Sequence, residues 1–212
     1  VHPLPQRALY WPAEATLFVA DLHVGKADVF QASGIPVPGA ISYADLSRLG
    51  ALLTSTSVQR LVILGDFFHA AASQSPQMLA LLGEWRQTHA GVEILLVSGN
   101  HDLHAGPPPA DLAIVACGEA VRIGPFHCVH APEVDPPNYT LCGHLHPVAL
   151  LAERAGGRHG TRSARLPCFH VGTRQMVLPA FSTFTGGKGI VCRPGERIIV
   201  TTGDEIFEAA IG

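Results

Sequence analysis

The chain has 212 residues, 47% of them apolar and only 15% charged, which excludes a disordered protein and supplies enough chain for a substantial core. A formal net charge of −3, from 14 Lys and Arg against 17 Asp and Glu, argues against tight binding of duplex nucleic acid by charge alone. No apolar run reaches the ~18 residues that span a bilayer, and Val1–Gln6 lacks a basic segment followed by an apolar one, so a single cytoplasmic domain over 1–212 with no membrane contact is expected.

Thr16–Ala20 is a short apolar run that ends on Asp21. The loop from Val24 to Gly39 carries Gly34, Pro36, Pro38 and Gly39 without periodicity and reads as a crossover connection. Ala44–Leu53 has apolar residues at helical spacing. Arg60–Leu64 reads as a buried strand ending at Gly65-Asp66. Pro76 opens a second helix with Met78, Leu79, Leu82 and Trp85 on one side. Glu93–Val97 is a third buried strand, ending at Ser98-Gly99-Asn100. This β–α–β–α–β order points to parallel strands in an α/β fold.

The second half changes character. Ala113–Ala116, Val121–Ile123, His127–His130, Tyr139–Cys142, Arg165–Val171, Gln175–Leu178, Gly189–Cys192 and Arg197–Thr201 read as short strands with little helix between them. They imply a second, mostly antiparallel sheet packed on the first. The expected architecture is a four-layer α/β/β/α sandwich, two mixed sheets flanked by helices.

Twelve histidines is a high count, and five of them fall in polar clusters where apolar strands end. The clusters are Asp21-Leu22-His23, Gly65-Asp66, Gly99-Asn100-His101-Asp102 and Gly143-His144-Leu145-His146, with His130 upstream of the last. Ligands in open α/β sheets bind beyond the carboxyl ends of the strands. Asp21, His23, Asp66, Asn100, His130, His144 and His146 offer carboxylates, imidazoles and one amide oxygen, a set that suits Mn²⁺, Fe, Zn²⁺ or Mg²⁺. The five cysteines form no C-x-x-C pair, so neither a thiolate zinc site nor a disulfide framework is expected. Seven ligands exceed the needs of one ion. One carboxylate shared between two ions gives each four protein ligands and leaves room for a water primed for in-line attack on phosphorus. His101 is expected to donate a proton to the leaving oxygen, with Asp102 orienting its ring. Alone, Asp-x-His or Gly-Asp is ordinary turn chemistry. Gly-Asn-His-Asp directly after a buried strand is specific, and the joint order of the motifs decides.

In that order the motifs over 21–146 resemble the calcineurin-like metallophosphoesterases. The resemblance implies that Asp21, His23 and His146 hold one metal and Asn100, His130 and His144 the other. It implies further that Asp66 bridges the two and that His101 is the catalytic histidine. A narrower likeness rests on Asp21-Leu22-His23-Val24-Gly25-Lys26, Gly34-Ile35-Pro36-Val37-Pro38, Leu64-Gly65-Asp66-Phe67-Phe68-His69, Leu178-Pro179-Ala180-Phe181 and Thr185-Gly186-Gly187. These resemble the bacterial ligase-associated DNA damage response endonucleases of the PdeM group. That likeness implies a Mn²⁺-dependent phosphodiesterase acting on DNA beside a ligase, a helicase and a nuclease.

Three weaker features complete the reading. Lys26 could meet a substrate phosphate, although a solvated lysine serves as well. His69, three residues past Asp66, is expected to touch that carboxylate. The arginine-rich stretch from Arg154 to Arg174 is expected to form a hairpin whose Arg158 and Arg162 grip a nucleic-acid backbone, or else merely sit in solvent. The rival activities are a phosphatase or a small-molecule or cyclic-nucleotide diesterase. A non-catalytic scaffold would typically have lost His101 or several ligands, and all are present.

Overall fold

The computed structural model describes residues 1–37, 41–134, 136, 138–153 and 162–209, with backbone alone at 152, 153, 162 and 163. A six-stranded sheet runs in chain order: β1 (His2–Leu4), β2 (Ala8–Trp11), β3 (Thr16–Val19), β4 (Arg60–Leu64), β5 (Glu93–Val97) and β6 (Ile114–Ala116). β1, β2 and β3 form an antiparallel meander, and β3 to β6 are parallel. Helices α1 (Lys26–Ala32), α2 (Ile41–Thr56), α3 (Pro76–Thr88) and α4 (Asn100–Ala105) occupy the crossovers. Ser75 caps α3 by accepting from the Met78 N–H at 3.2 Å, ahead of Pro76 in the first turn.

Alternation along the strands explains why β3, β4 and β5 read as unbroken apolar runs. Leu17, Val19, Leu61, Ile63, Ile94 and Leu96 face α2 and α3, where Leu46, Leu49, Leu53, Met78 and Leu82 complete one core. Phe18, Val62, Leu64, Leu95 and Val97 face the other way, against Cys128, Leu141, Phe169, Met176 and Leu178. Those partners belong to a nine-stranded mixed sheet. It contains β7 (Ala120–Ile123), β8 (Phe126–Val129), β9 (Tyr139–Cys142), β10 (Pro147–Glu153), β11 (Arg162–Val171), β12 (Gln175–Val177), β13 (Lys188–Gly189), β14 (Arg197–Thr201) and β15 (Ile206–Glu208).

The α/β class, the two mixed sheets and the helical layer on the first sheet agree with the sequence reading. Among the described residues no α-helix follows Ala105. The helical cover therefore lies on the first sheet, and the far face of the second is closed by a small cluster around Ala149, Cys168, Ile198 and Val200. No helix among the described residues is long and apolar enough to cross a membrane.

Differences from the expected elements have local causes. The Val24–Gly39 segment contains α1, which buries only Ala27 among its residues and so shows no stripe to read. Pro38 and Gly39 lie outside the described residues. β10 opens on proline and is rich in Ala and Leu, a composition that does not announce a strand. Leu82 is 1% exposed in the helix-facing core. Leu82→Ala is expected to lower unfolding free energy by about 2–5 kcal/mol in a urea titration; a loss under about 1 kcal/mol would show that this core does not carry α3.

Candidate metal centre

Each candidate residue sits just past a strand end. Asp21 and His23 follow β3, Asp66 follows β4, Asn100 follows β5, His130 follows β8, and His144 and His146 lie between β9 and β10. Strand pairing continues into these loops. The N–H groups of Asp21, His23 and Val24 donate to the carbonyls of Gly65, Asp66 and Phe67 at 3.1, 2.9 and 2.8 Å. The Gly143 N–H donates to the His130 carbonyl at 2.9 Å, and the Phe181 N–H to the Ala20 carbonyl at 2.7 Å. The two sheets thereby bring their polar loops to one rim.

All seven candidate ligands converge there in two groups. His146 Nε2 lies 3.5 Å from Asp21 Oδ1 and 3.4 Å from His23 Nε2. His130 Nε2 lies 3.0 Å from Asn100 Oδ1 and 3.0 Å from His144 Nδ1. Asp66 Oδ2 stands between the groups, 3.8 Å from His23 Nε2 and 3.5 Å from His130 Nε2. The other carboxyl oxygen of Asp66 is engaged, accepting from the His101 N–H at 2.9 Å. Asp21, fully buried, accepts from the His144 N–H at 3.0 Å.

The imidazoles are oriented from behind. His130 Nδ1 donates to the Leu64 carbonyl at 2.9 Å and His146 Nδ1 to the Gly186 carbonyl at 3.1 Å. A carbonyl only accepts, so these rings keep their Nε2 lone pairs facing the cluster. Burial, then the charges of Lys26, His146, His101 and His69, hold His23 down at about 2, so it is neutral and free to ligate. Burial and then His130 lower His144. Burial also acts to lower His146, but the hydrogen bond and charge of Asp21 carry it above its ordinary value. Lone pairs that face one another in a mostly buried pocket cost free energy unless a cation lies between them. The donor set of two carboxylates, four imidazoles and an amide oxygen therefore fits a pair of divalent ions. Asp21, His23 and His146, and separately Asp21, Asp66 and His130, each place ligand atoms within 4.8 Å of one another.

Backbone strain marks the same residues. Asp21, His23, Asp66, His144 and His146 all have left-handed φ, between 45° and 68°. Each such non-glycine residue costs of order 1–3 kcal/mol and persists where the surroundings impose it. Gly65 has φ 84°, and a Cβ there would stand 2.2 Å from His130 Nδ1. A Cβ on Gly143 would meet Asp21 Oδ2 at 2.6 Å. Side chains at either position would push the ligands apart.

Two expectations are corrected. Asp102 does not orient the ring of His101. Its carboxylate accepts from the backbone N–H groups of Phe67 (2.9 Å), Phe68 (3.2 Å) and Gly99 (2.9 Å), tying the Asp66 loop to the Asn100 loop. Burial raises the Asp102 pKa, and those three hydrogen bonds oppose the rise. The ring of His101 is instead held by the His69 carbonyl, which accepts from Nδ1 at 2.7 Å. The His69 side chain does not meet Asp66 either; it stacks on His101 with centroids 4.8 Å apart and 26° between planes. Burial, Lys26 and His101 bring His69 to about 4. No sequence signal distinguishes a backbone carbonyl, so the part His69 plays could not be read from the chain.

Lys26 opens α1 and lines a cavity of about 360 Å³ with Phe30, Phe184, Thr185 and Gly186. Arg154 and Arg158 lie outside the described residues; Arg162 is described by its backbone alone, at the start of β11. Arg174 donates to the Pro136 carbonyl. Away from the rim, His170, Cys192 and Glu196 cluster within 4.8 Å, with His170 Nε2 already 2.9 Å from Glu196.

A family model described as calcineurin-like phosphoesterase matches residues 15–146. Among solved structures, the Pseudomonas putida nuclease MPE is 37% identical, covers 97% of this chain and 93% of its own, and superposes with a TM-score of 0.81. Yfce, a phosphoesterase from E. coli, is 14% identical over 93% of this chain and 99% of its own, with a TM-score of 0.42. A protein of unknown function from Aquifex aeolicus, AQ665, is 16% identical over 62% of this chain and 78% of its own, with a TM-score of 0.40. No curated protein matches.

Gly65→Ala is expected to lose bound metal, counted by inductively coupled plasma mass spectrometry, while far-ultraviolet circular dichroism stays native. Full retention of metal would show that the close approach of Gly65 to His130 is dispensable.

Proposed function

The chain belongs to the calcineurin-like phosphoesterases, a family of metal-dependent phosphoesterases, and from that premise we propose that it is a two-metal phosphodiesterase acting on DNA. One observation carries the two-metal reading: Asp66 Oδ2 lies between two separate groups of ligand atoms, 3.8 Å from one and 3.5 Å from the other. On this reading Asp21, His23 and His146 hold one cation, Asn100, His130 and His144 the other, and Asp66 is shared. Mn²⁺ suits this oxygen and imidazole set, which has no thiolate. When bound, the ions would supply positive charge to the phosphoryl oxygens and lower the pKa of a water held at the site.

The protein's own groups do the rest. His101 has Nδ1 fixed on the His69 carbonyl, which leaves Nε2 to carry the mobile proton. The attacking water oxygen would form the new bond to phosphorus and release its proton to bulk solvent, from which His101 is reprotonated after each turnover. The opposite P–O bond breaks, and the proton on His101 Nε2 passes to the departing oxygen. His69, stacked on the ring, keeps it from rotating away. Asp102 sets the distance between the loops of Asp66 and His101 through its three backbone bonds. Lys26 faces the approach to the two carboxylates and is suited to a substrate phosphate.

A nucleic-acid substrate is supported by the likeness to the P. putida nuclease, which extends over nearly both chains, and the choice of DNA rests on the narrower motif resemblance. A place beside a ligase, a helicase and a nuclease in DNA repair rests on the narrower motif resemblance and belongs to the same proposal. A cyclic-nucleotide or other small-molecule diesterase, or a phosphatase, would need the same ligands. Turnover of supercoiled plasmid, linear duplex, single strands, a small diester and a monoester, each with Mn²⁺, Mg²⁺ and Zn²⁺, separates these activities. The expected pattern is cleavage of DNA and of the diester with Mn²⁺; hydrolysis of the monoester alone would refute the reading.

Two variants separate the roles. His101→Ala should keep both metals and lose about 10²–10⁴-fold in turnover, the usual worth of a positioned proton donor. Asp66→Ala should lose metal and activity together, and wild-type turnover in that variant would dismantle the two-metal assignment.

A further inference from the structure

Thr183, Thr185 and Gly186 line both the Lys26 cavity and a second cavity of about 290 Å³ that His146 also lines. Two arginines distant in sequence, Arg7 and Arg165, share its wall with His146, Thr185, Gly186 and Gly187, and none of its lining residues is acidic. Arg7 comes from the turn between β1 and β2, where it holds φ 67° in the left-handed region. Its NH1 donates to the Ser182 carbonyl at 2.9 Å. Arg165 comes from β11, and its NH2 donates to the Gly187 carbonyl at 2.7 Å. Among the described residues neither guanidinium has a carboxylate within ion-pair distance.

A guanidinium has five N–H donors, and here each is anchored on a backbone carbonyl that consumes only part of that capacity. The remaining donors are held in position with no carboxylate of the described residues in ion-pair contact, although the charge of Asp45 reaches Arg7. Two guanidinium groups anchored on one cavity wall, neither ion-paired to a carboxylate among the described residues, are complementary to a phosphate, which accepts charge-assisted hydrogen bonds in a planar, forked geometry. The cavity abuts the metal centre directly: His146 contributes to both, with Nε2 toward Asp21 and Nδ1 bonded to Gly186 on the cavity side. The close packing of this wall is built in. A Cβ on Gly187 would strike Val148 Cγ1 at 2.3 Å and the His146 carbonyl at 2.7 Å.

We propose that the Arg7–Arg165 cavity binds a phosphate of the polynucleotide that is not cleaved, the neighbour of the phosphodiester seated at Asp66. The inference rests on the nucleic-acid reading above and extends it: the cavity is what makes a strand a better substrate than an isolated diester. Phosphate contacts set the register of a strand without reading its sequence. The subsite therefore confers a preference for polymer and no preference for base.

The test compares Arg165→Ala and Arg7→Lys with wild type, all loaded with Mn²⁺, on a short single-stranded oligonucleotide and on bis(p-nitrophenyl) phosphate. For Arg165→Ala, the ratio of kcat/KM for the oligonucleotide to that for the small diester should fall about tenfold, mainly through KM, as the loss of a charge-assisted hydrogen bond allows. The slope of log kcat/KM for the oligonucleotide against log salt should flatten by about one. Arg7→Lys keeps the charge but not the fork, and a smaller fall of the same kind is expected. Equal losses on both substrates, or an unchanged ratio and salt slope, overturn the subsite while leaving the DNA reading intact. A wild-type enzyme that hydrolyses the small diester and ignores the oligonucleotide overturns both.

Discussion

Two carboxylates and four imidazoles, with an amide oxygen beside them, turn their lone pairs inward at the rim where two sheets meet. Asp21, His23, Asp66 and His130 are 6% exposed or less. With these four largely shielded from water, and His130 and His146 committing a ring N–H to backbone carbonyls behind them, the lone pairs crowded at the rim favour a cation between them. Positive charge is what the arrangement demands. On the proposed reading, that demand is met at two adjacent points joined by one oxygen of Asp66.

The price is visible in the backbone. Five of the seven candidate ligands occupy left-handed φ, and glycines at 65 and 143 leave no room for a Cβ against His130 and Asp21. Strain of this kind persists only when neighbours impose it. Here the imposing contacts are the paired backbones of the Asp21 and Asp66 loops and the Asp102 carboxylate clasping three N–H groups. Beneath them, the cores on both faces of the first sheet hold β3, β4 and β5 in register. Stability invested in the sheets is spent on geometry at the rim.

Much of this was legible in the chain because strand ends and ligand types are local features. The runs Arg60–Leu64, Glu93–Val97 and Tyr139–Cys142 match the observed strands residue for residue, and the polar clusters follow where the apolar runs stop. What stayed hidden depends on partners far apart in sequence or on groups every residue possesses. The carbonyl of His69 that holds His101, and the carbonyl of Gly186 that holds His146, have no sequence signature. Asp102, adjacent to His101, looked like its natural partner. The turn of α4 instead aims that carboxylate at the N–H groups of Phe67, Phe68 and Gly99. Arg7 and His146 lie on one cavity wall although β2 to β9 separate them in the chain. The dense arginines between Arg154 and Arg174 drew attention to a hairpin, while the cavity beside the metal centre takes Arg165 from it and Arg7 from the opposite end of the chain.

The central claim is a pair of cations sharing one carboxylate, and electron paramagnetic resonance of the Mn²⁺-loaded protein addresses it directly. An exchange-coupled multiline spectrum at a stoichiometry of two Mn²⁺ per chain is the predicted result. A lone six-line signal that saturates at one Mn²⁺ per chain, with no coupled species at any loading, would contradict the account.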